Sequence, residues 1–353
     1  MLGRIALVLG SVLFSLIVLE LGTRLVLMGP GGLKRWDNLV LTSRARMTAR
    51  GPGHFAYDPV LGFVPRPGRF DENTSYYGPQ GFRTTPAPAG MTLAEPPILV
   101  VGDSFAHGDE VKDDETWPTH LQEILGRRVV NAAVTGYGLD QMVLRAERAA
   151  PEVKPATLVL SFIPDDARRA EMRRVWGAEK SYFEVVNGKL ELRDVPVPPA
   201  PKPADTLDIW QRLFGWSVAL DTVLEHQGWQ NEWAVDHERV LPRHEGEHLS
   251  CFLFKRLAAL NLPTLVVAEY DPYTWQDADR AAQARAVSAN IQNCAQQAGF
   301  HTLDLYDTIE AAVKAQGLRT VYRMLHLSPT GNALVAPRVA AALKADRLLP
   351  DAQ

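Results

Sequence analysis

The chain has 353 residues, 46% of them hydrophobic, and a formal net charge of −4. That hydrophobic share supports a sizeable core and excludes disorder over most of the length, and the slightly acidic balance gives no basic footprint for nucleic acid. Two cysteines, Cys251 and Cys294, are too few for a disulfide framework and lie far from any histidine pair that would make a zinc ribbon; export would let them pair with each other, but two separately buried thiols are the favoured expectation.

From Ile5 to Leu19 the residues are almost all apolar, with Arg4 before them and Glu20, Arg24, Lys34 and Arg35 after. Continued through Leu25 to Met28, the run reaches the roughly 20 residues a helix needs to cross a bilayer. No small-x-small cleavage site follows it, so residues 1–28 read as an uncleaved signal anchor, a single transmembrane helix. Residues 29–95 are rich in Gly, Pro, Arg and Thr without a sustained period and read as a stalk and irregular N-terminal cap.

Strand and helix signals alternate beyond that point. Strand signals end at Val101, Val134, Ile163, Tyr270 and Leu305, and helical patterns cover Thr116–Leu125, Leu139–Ala150, Leu249–Leu260, Ala278–Gln297, Thr308–Ala315 and Thr330–Ala345. Such alternation predicts an α/β domain over 96–346, a three-layer, doubly wound parallel sheet with helices on both faces. An insertion, 168–247, breaks the pattern. It carries an alternating segment, Tyr182 to Leu192, a polyproline spacer from Pro196 to Pro203, and the aromatics Trp210, Phe214, Trp216, Trp229 and Trp233. These form either a lid over the functional site or a satellite core.

The chemistry centres on Gly102-Asp103-Ser104-Phe105-Ala106-His107-Gly108. Pro96 to Val101 reads as a strand buried on both faces, so Ser104 stands at the C-terminal edge of the sheet, where open α/β folds bind ligands. Later strands run into Thr135-Gly136-Tyr137-Gly138 and Pro164-Asp165-Asp166, and Leu325-His326-Leu327-Ser328-Pro329 opens a last helix. These four blocks, in this order, resemble those of the SGNH (GDSL-like) hydrolases, over Tyr57 to about Ala342. The segment Tyr57-Asp58-Pro59-Val60-Leu61-Gly62-Phe63, the run Asp113 to Pro118 and Gly136-Tyr137-Gly138-Leu139-Asp140-Gln141 look closest to the membrane-anchored bacterial members associated with cell-surface polysaccharides. Gly81-Phe82-Arg83 then belongs near the active-site face.

The resemblance implies a flavodoxin-like SGNH fold, Ser104 as nucleophile and His326 as its base. It implies an oxyanion hole of the Ser104 and Gly136 N–H groups with a third donor at Asp165, and neither metal nor other cofactor. Two positions depart from the pattern. Asp165 stands where an asparagine is expected: either it is protonated, or the third donor comes from elsewhere, or the hole is weak. Arg323 stands where an aspartate should precede the histidine, so either a Ser-His dyad leans on a backbone carbonyl or a carboxylate arrives from another loop. His107 is either aimed into the site or solvated. His244-Glu245-Gly246-Glu247-His248 matches the H-E-x-x-H zinc signature, but Pro242, Gly246 and charged flanks make it a chance match at a helix start.

The expected protein is a serine-dependent acyl-ester hydrolase or O-acyltransferase acting on acetyl groups of a cell-surface or exported polysaccharide. Its implied partners are an acylated carbohydrate, the inner membrane and other polysaccharide-biosynthesis proteins. A catalytically impaired SGNH-fold protein serving carbohydrate binding or assembly is the alternative, since fold alone does not guarantee activity. Positive residues are denser after the span than before it, which alone favours a cytoplasmic domain. Arg4 and the amino group still supply a positive n-region, and the resemblance implies a single-pass protein of the bacterial inner membrane with its catalytic domain in the periplasm.

Overall fold

Ile98 and Val100 point to one face of the central sheet and Leu99 and Val101 to the other, all four fully buried, which is why this stretch carries no polar alternation. In the computed structural model, which describes residues 2–50, 54–69, 73–227 and 229–350, they lie in strand β1 (Ala94–Val101). Four further parallel strands follow: β2 (Arg127–Asn131), β3 (Thr157–Phe162), β4 (Thr264–Ala268) and β5 (His301–Asp304). Their spatial order is β5-β4-β3-β1-β2, the doubly wound order of a flavodoxin-like sheet. Backbone pairing between the first two strands runs on past β2, Val134 N–H donating to the Gly102 carbonyl at 3.0 Å.

One face is covered by the helices Leu139–Val153, Glu245–Leu257 and Ala278–Gln297, the other by Trp117–Leu125, Tyr306–Gln316 and Pro329–Ala345. The three layers thus follow the alternation, but the sheet is mixed rather than parallel throughout. Short antiparallel strands Phe82–Arg83, Ser75–Tyr77 and Gly68–Arg69 extend it beyond β2. They come from the segment expected to be irregular; strands of two or three residues are too short to show a period.

The chain divides into two units. One comprises Met1–Gly53, Trp176–Ala178 and Pro199–His237; the other comprises His54–Val175, Glu179–Pro198 and Glu238–Gln353 and holds the sheet. The expected insertion therefore splits: Tyr182–Val186 and Lys189–Arg193 form a hairpin belonging with the sheet, and the aromatic segment belongs with the N-terminus. The stalk contains a helix, Leu39–Arg50, whose buried stripe is hidden in the sequence because Arg44 occupies it beside Val40. The Arg44 guanidinium is satisfied by the Ala234 carbonyl, Thr206 and Gln211.

The cysteines correct the expectation of separate thiols. The helices Glu245–Leu257 and Ala278–Gln297 pack side by side and bring Cys251 and Cys294 to a Cα separation of 4.5 Å, joined as a disulfide. Register between two helices far apart in sequence leaves no mark on either one. The bond spans 43 residues, so Cys251→Ser with Cys294→Ser should lower unfolding stability by about 2–4 kcal/mol. Thermal unfolding with and without reductant measures it.

Candidate active site

The turn after β1 is built by close approach. A side chain at Gly102 would put its Cβ 2.7 Å from Ala106 Cβ and 2.8 Å from the Ser161 carbonyl oxygen, so glycine is required where β1 runs against β3. Asp103 caps the one-turn helix Ser104–His107, Oδ1 accepting from Phe105 N–H at 2.9 Å, and Gly108 closes it in the left-handed region. Ser104 is thereby held at the first helical position, at the C-terminal edge of β1 beside β3, where the strand order reverses. Among the described residues, neither the Ser104 N–H nor the Gly136 N–H has a hydrogen-bond partner, and the Ser104 hydroxyl makes no hydrogen bond.

His326 does not open the last helix, which begins at Pro329 with Ser328 as its cap. It sits in the preceding turn, where Arg323 N–H donates to the His326 carbonyl at 3.0 Å. Its ring lies 5.3 Å, centroid to centroid, from Phe105, the residue after the serine. The acid missing at position 323 arrives from the loop after the nucleophile: His326 Nδ1 donates to Glu110 Oε1 at 2.9 Å. Glu110 also accepts from Met324 N–H at 2.9 Å, and Arg323 donates to the Glu110 carbonyl. Burial opposes ionisation of Glu110, but the His326 hydrogen bond and charge, with those N–H donors, outweigh it and hold the carboxyl below its ordinary range. Burial likewise works against a charged His326, and Glu110, Asp109 and Asp103 overcome it, raising the imidazole above its usual value. Among the described residues, Nε2 has no hydrogen-bond partner.

The loop bearing Glu110 is clamped from the N-terminal cap. Arg83 is fully buried and donates to the carbonyls of His107 at 2.9 Å, Gly108 at 2.5 Å and Val111 at 2.7 Å, and to Asp113 Oδ1 at 2.9 Å. The cap also grips the block after β2: Tyr137 donates to the Phe63 carbonyl at 2.6 Å and Gln141 to the Leu61 carbonyl at 2.8 Å. His107 is neither solvated nor the base. Its Nδ1 faces Asp109 Oδ1 at 2.6 Å and its Nε2 faces the Tyr76 hydroxyl at 3.0 Å. Thr135, next to Gly136, donates to the same Asp109 oxygen at 2.7 Å. Burial pushes the His107 pKa down, so the neutral ring donates through Nδ1 to the Asp109 carboxylate and accepts from Tyr76.

Asp165 carries two arginines: Arg168 and Arg169 both donate to its carboxylate, Arg169 Nε at 2.9 Å. That is the pairing of an ionised carboxylate, so Asp165 stands as an acceptor rather than as a donor to an oxyanion. Arg169 also reaches Asp166 Oδ1 at 2.7 Å and lies 3.5 Å from Asp103 Oδ2. One cation thus faces three acids. Burial and the neighbouring Asp103 push Asp166 well above the ordinary carboxyl range.

Glu269, fully buried just past β4, accepts from Ser161 at 2.5 Å and Trp117 Nε1 at 3.1 Å, and burial raises its pKa to about 8. The folded protein therefore keeps a proton that the unfolded chain loses near 4.5, a contribution to stability fully present below about 4.5 and lost as pH rises to about 8. Glu269→Gln should accordingly raise Tm over the parent protein more at pH 8 than at pH 5. An equal shift at both values would mean that the carboxyl does not carry that proton.

Of the residues read from the sequence, the fold gathers Ser104 and His326 beside one loop, with Asp165 tied to its arginines. Arg83 was expected near this face but without a role, and Glu110 and Arg169 were not found. Acids crowd after the nucleophile at 109, 110, 113, 114 and 115, but proximity in sequence does not say which one turns toward His326. The H-E-x-x-H match does not form the geometry its chemistry needs: His244 precedes the helix in the left-handed region, its side chain exposed.

The model of the GDSL-like lipase/acylhydrolase family matches residues 100–334. Among solved structures, the chain is similar to the α/β hydrolase LAE5 from the metagenome of Lake Arreo, Spain, at 14% identity, covering 72% of this chain and 98% of that one with a TM-score of 0.42. It is similar to the psychrotrophic esterase EstA from Pseudoalteromonas sp., at 11% identity, 72% and 99% coverage and a TM-score of 0.40. A third likeness is to a catalytic mutant of the acetylxylan esterase Axe2 from Geobacillus stearothermophilus, at 11% identity, 72% and 96% coverage and a TM-score of 0.43. A comparison with curated proteins found no match. The family model runs from the strand before Ser104 to beyond His326, about two thirds of the sequence, and the chain belongs to the GDSL-like lipase/acylhydrolase family.

Proposed function

We propose that the chain is a serine-dependent acyl-ester hydrolase or O-acyltransferase whose substrates are acetyl esters on a cell-surface or exported polysaccharide. The observation that carries this reading is the Glu110–His326 hydrogen bond beside the Ser104 turn. Ser104 attacks the ester carbonyl and passes its proton to His326 Nε2, while Glu110 fixes the tautomer and compensates the imidazolium. The oxyanion is received by the Ser104 and Gly136 N–H groups. The protonated imidazole then gives its proton to the leaving alkoxide, and water or a sugar hydroxyl accepts the acyl group. The alternative of an impaired binding protein rested on two absent groups; Glu110 supplies one of them.

Residues 2–28 form a continuous helix, and an 18-residue window within Gly3–Met28 has a mean hydropathy of 2.4 with 6% of it buried, which supports an anchor in the inner membrane. The disulfide supports an oxidising compartment, the periplasm, for the sheet unit. A fluorophosphonate probe on membranes from expressing cells should label the chain, and Ser104→Ala should remove the label. Absence of label from a folded protein that still binds acetylated oligosaccharide would favour the binding role instead. Protease added to intact spheroplasts should digest the domain; protection would overturn the periplasmic assignment.

A further inference from the structure

The short helix Ile209–Phe214 turns its apolar side outward. Ile209, Trp210, Leu213 and Phe214 are 59%, 60%, 50% and 45% exposed, whereas Gln211 is buried. At about 100° per residue these four span one arc of roughly 140°, opposite Gln211. A contiguous patch of two large aromatics and two aliphatics is not the scatter of single apolar residues normal on a water-facing surface.

The same unit shows what the patch meets. Two residues past Phe214, the chain is locked onto the N-terminal helix: Arg24 donates to the Trp216 carbonyl, and Glu20 accepts from Ser217 at 2.7 Å, Val218 N–H at 3.0 Å and Ala219 N–H at 3.1 Å. Arg24 and Glu20 pair at 2.6 Å, and Arg24 lies over the Trp36 ring, which packs on Trp216. Glu20 is 17 residues from Gly3, about 26 Å along a helix, near the far edge of a hydrocarbon core about 30 Å thick. The apolar residues of this helix remain exposed on both sides of that level, Leu19 at 56% before it and Val26 at 81% beyond it. With Gly3 at one edge of the hydrocarbon core, the paired charges and the Trp36 and Trp216 rings stand where the helix leaves the bilayer, the depth at which tryptophans concentrate, and Ile209–Phe214 ends two residues before Trp216.

We infer that Ile209–Phe214 is an interfacial foot, its apolar face seated among the lipid headgroups and upper acyl chains of the bilayer that holds the N-terminal helix. The inference rests on that helix being a membrane span. The foot fixes the unit to the membrane surface at a second point besides the span, as amphipathic segments do when they lie in the interface.

Site-directed spin labels test it in the full chain, reconstituted in phosphatidylcholine vesicles containing one quarter phosphatidylglycerol. The two native cysteines are paired, so Phe14→Cys, Trp210→Cys, Leu213→Cys and Lys189→Cys each offer a single reactive thiol at an exposed site. Labels at 14, 210 and 213 should be several-fold more accessible to oxygen than to a water-soluble nickel chelate, relative to 189. If 14 lies in lipid while 210 and 213 are as open to nickel as 189, the foot is overturned and the span stands. If 14 is open to nickel, the span itself fails and the foot with it. Low access to both agents at 210 and 213 would mean that a protein surface covers the patch, which also overturns the lipid assignment.

Discussion

Ser104→Ala and His326→Ala are each expected to reduce acetyl-ester turnover by about 10⁴-fold or more, and the double variant should lose little beyond either single one. The non-additivity follows from the chemistry: without the hydroxyl there is no proton for the imidazole to take, and without the imidazole the hydroxyl is too weak a nucleophile near neutral pH. Single-turnover assays with an aryl acetate, on protein verified as folded by its thermal transition, measure both. Wild-type activity in Ser104→Ala would remove the acyl-serine mechanism altogether.

Glu110→Gln is expected to lower kcat by about 10²- to 10⁴-fold with a smaller change in KM, because an amide presented to Nδ1 no longer enforces the tautomer in which Nε2 accepts the serine proton. The pH profile gives a second signature. Turnover needs neutral His326, whose pKa is raised by Glu110 together with Asp109 and Asp103. Loss of the Glu110 charge should move the acidic limb of kcat/KM to lower pH even as the plateau falls. A merely structural role would depress the plateau and leave the limb in place. Arg323→Asp should bring loss rather than gain, since Arg323 holds the Glu110 backbone and a new carboxylate there would repel the acid already in position.

The innermost strands β1, β3 and β4 were legible because each centres on a short apolar run, and the helix Ala278–Gln297 matches its expected span. Ser104 and His326 were legible because each sits in a motif block with local turn chemistry. Glu110 was not. Its role depends on a left-handed backbone at that residue, φ 69°, and on a turn 216 residues away, neither of which has a period or a composition. Arg44 shows the same limit in a helix: a buried arginine reads as surface until its acceptors are found in segments that fold back from elsewhere.

The Arg83 clamp changes what counts as the minimal enzyme. The family match begins at residue 100, and a fragment cut there would keep Ser104, His326 and Glu110 in its sequence. It would lack the guanidinium that satisfies the buried carbonyls of His107, Gly108 and Val111, and carbonyls left without donors away from water destabilise the turn that presents Glu110. The cap is thus a structural part of the loop that carries Glu110, added to the sheet from outside the residues that the family model matches. A truncation intended to yield an active soluble domain must begin before Arg83, and far enough before it to keep the short strand Ser75–Tyr77 on which Phe82–Arg83 is paired.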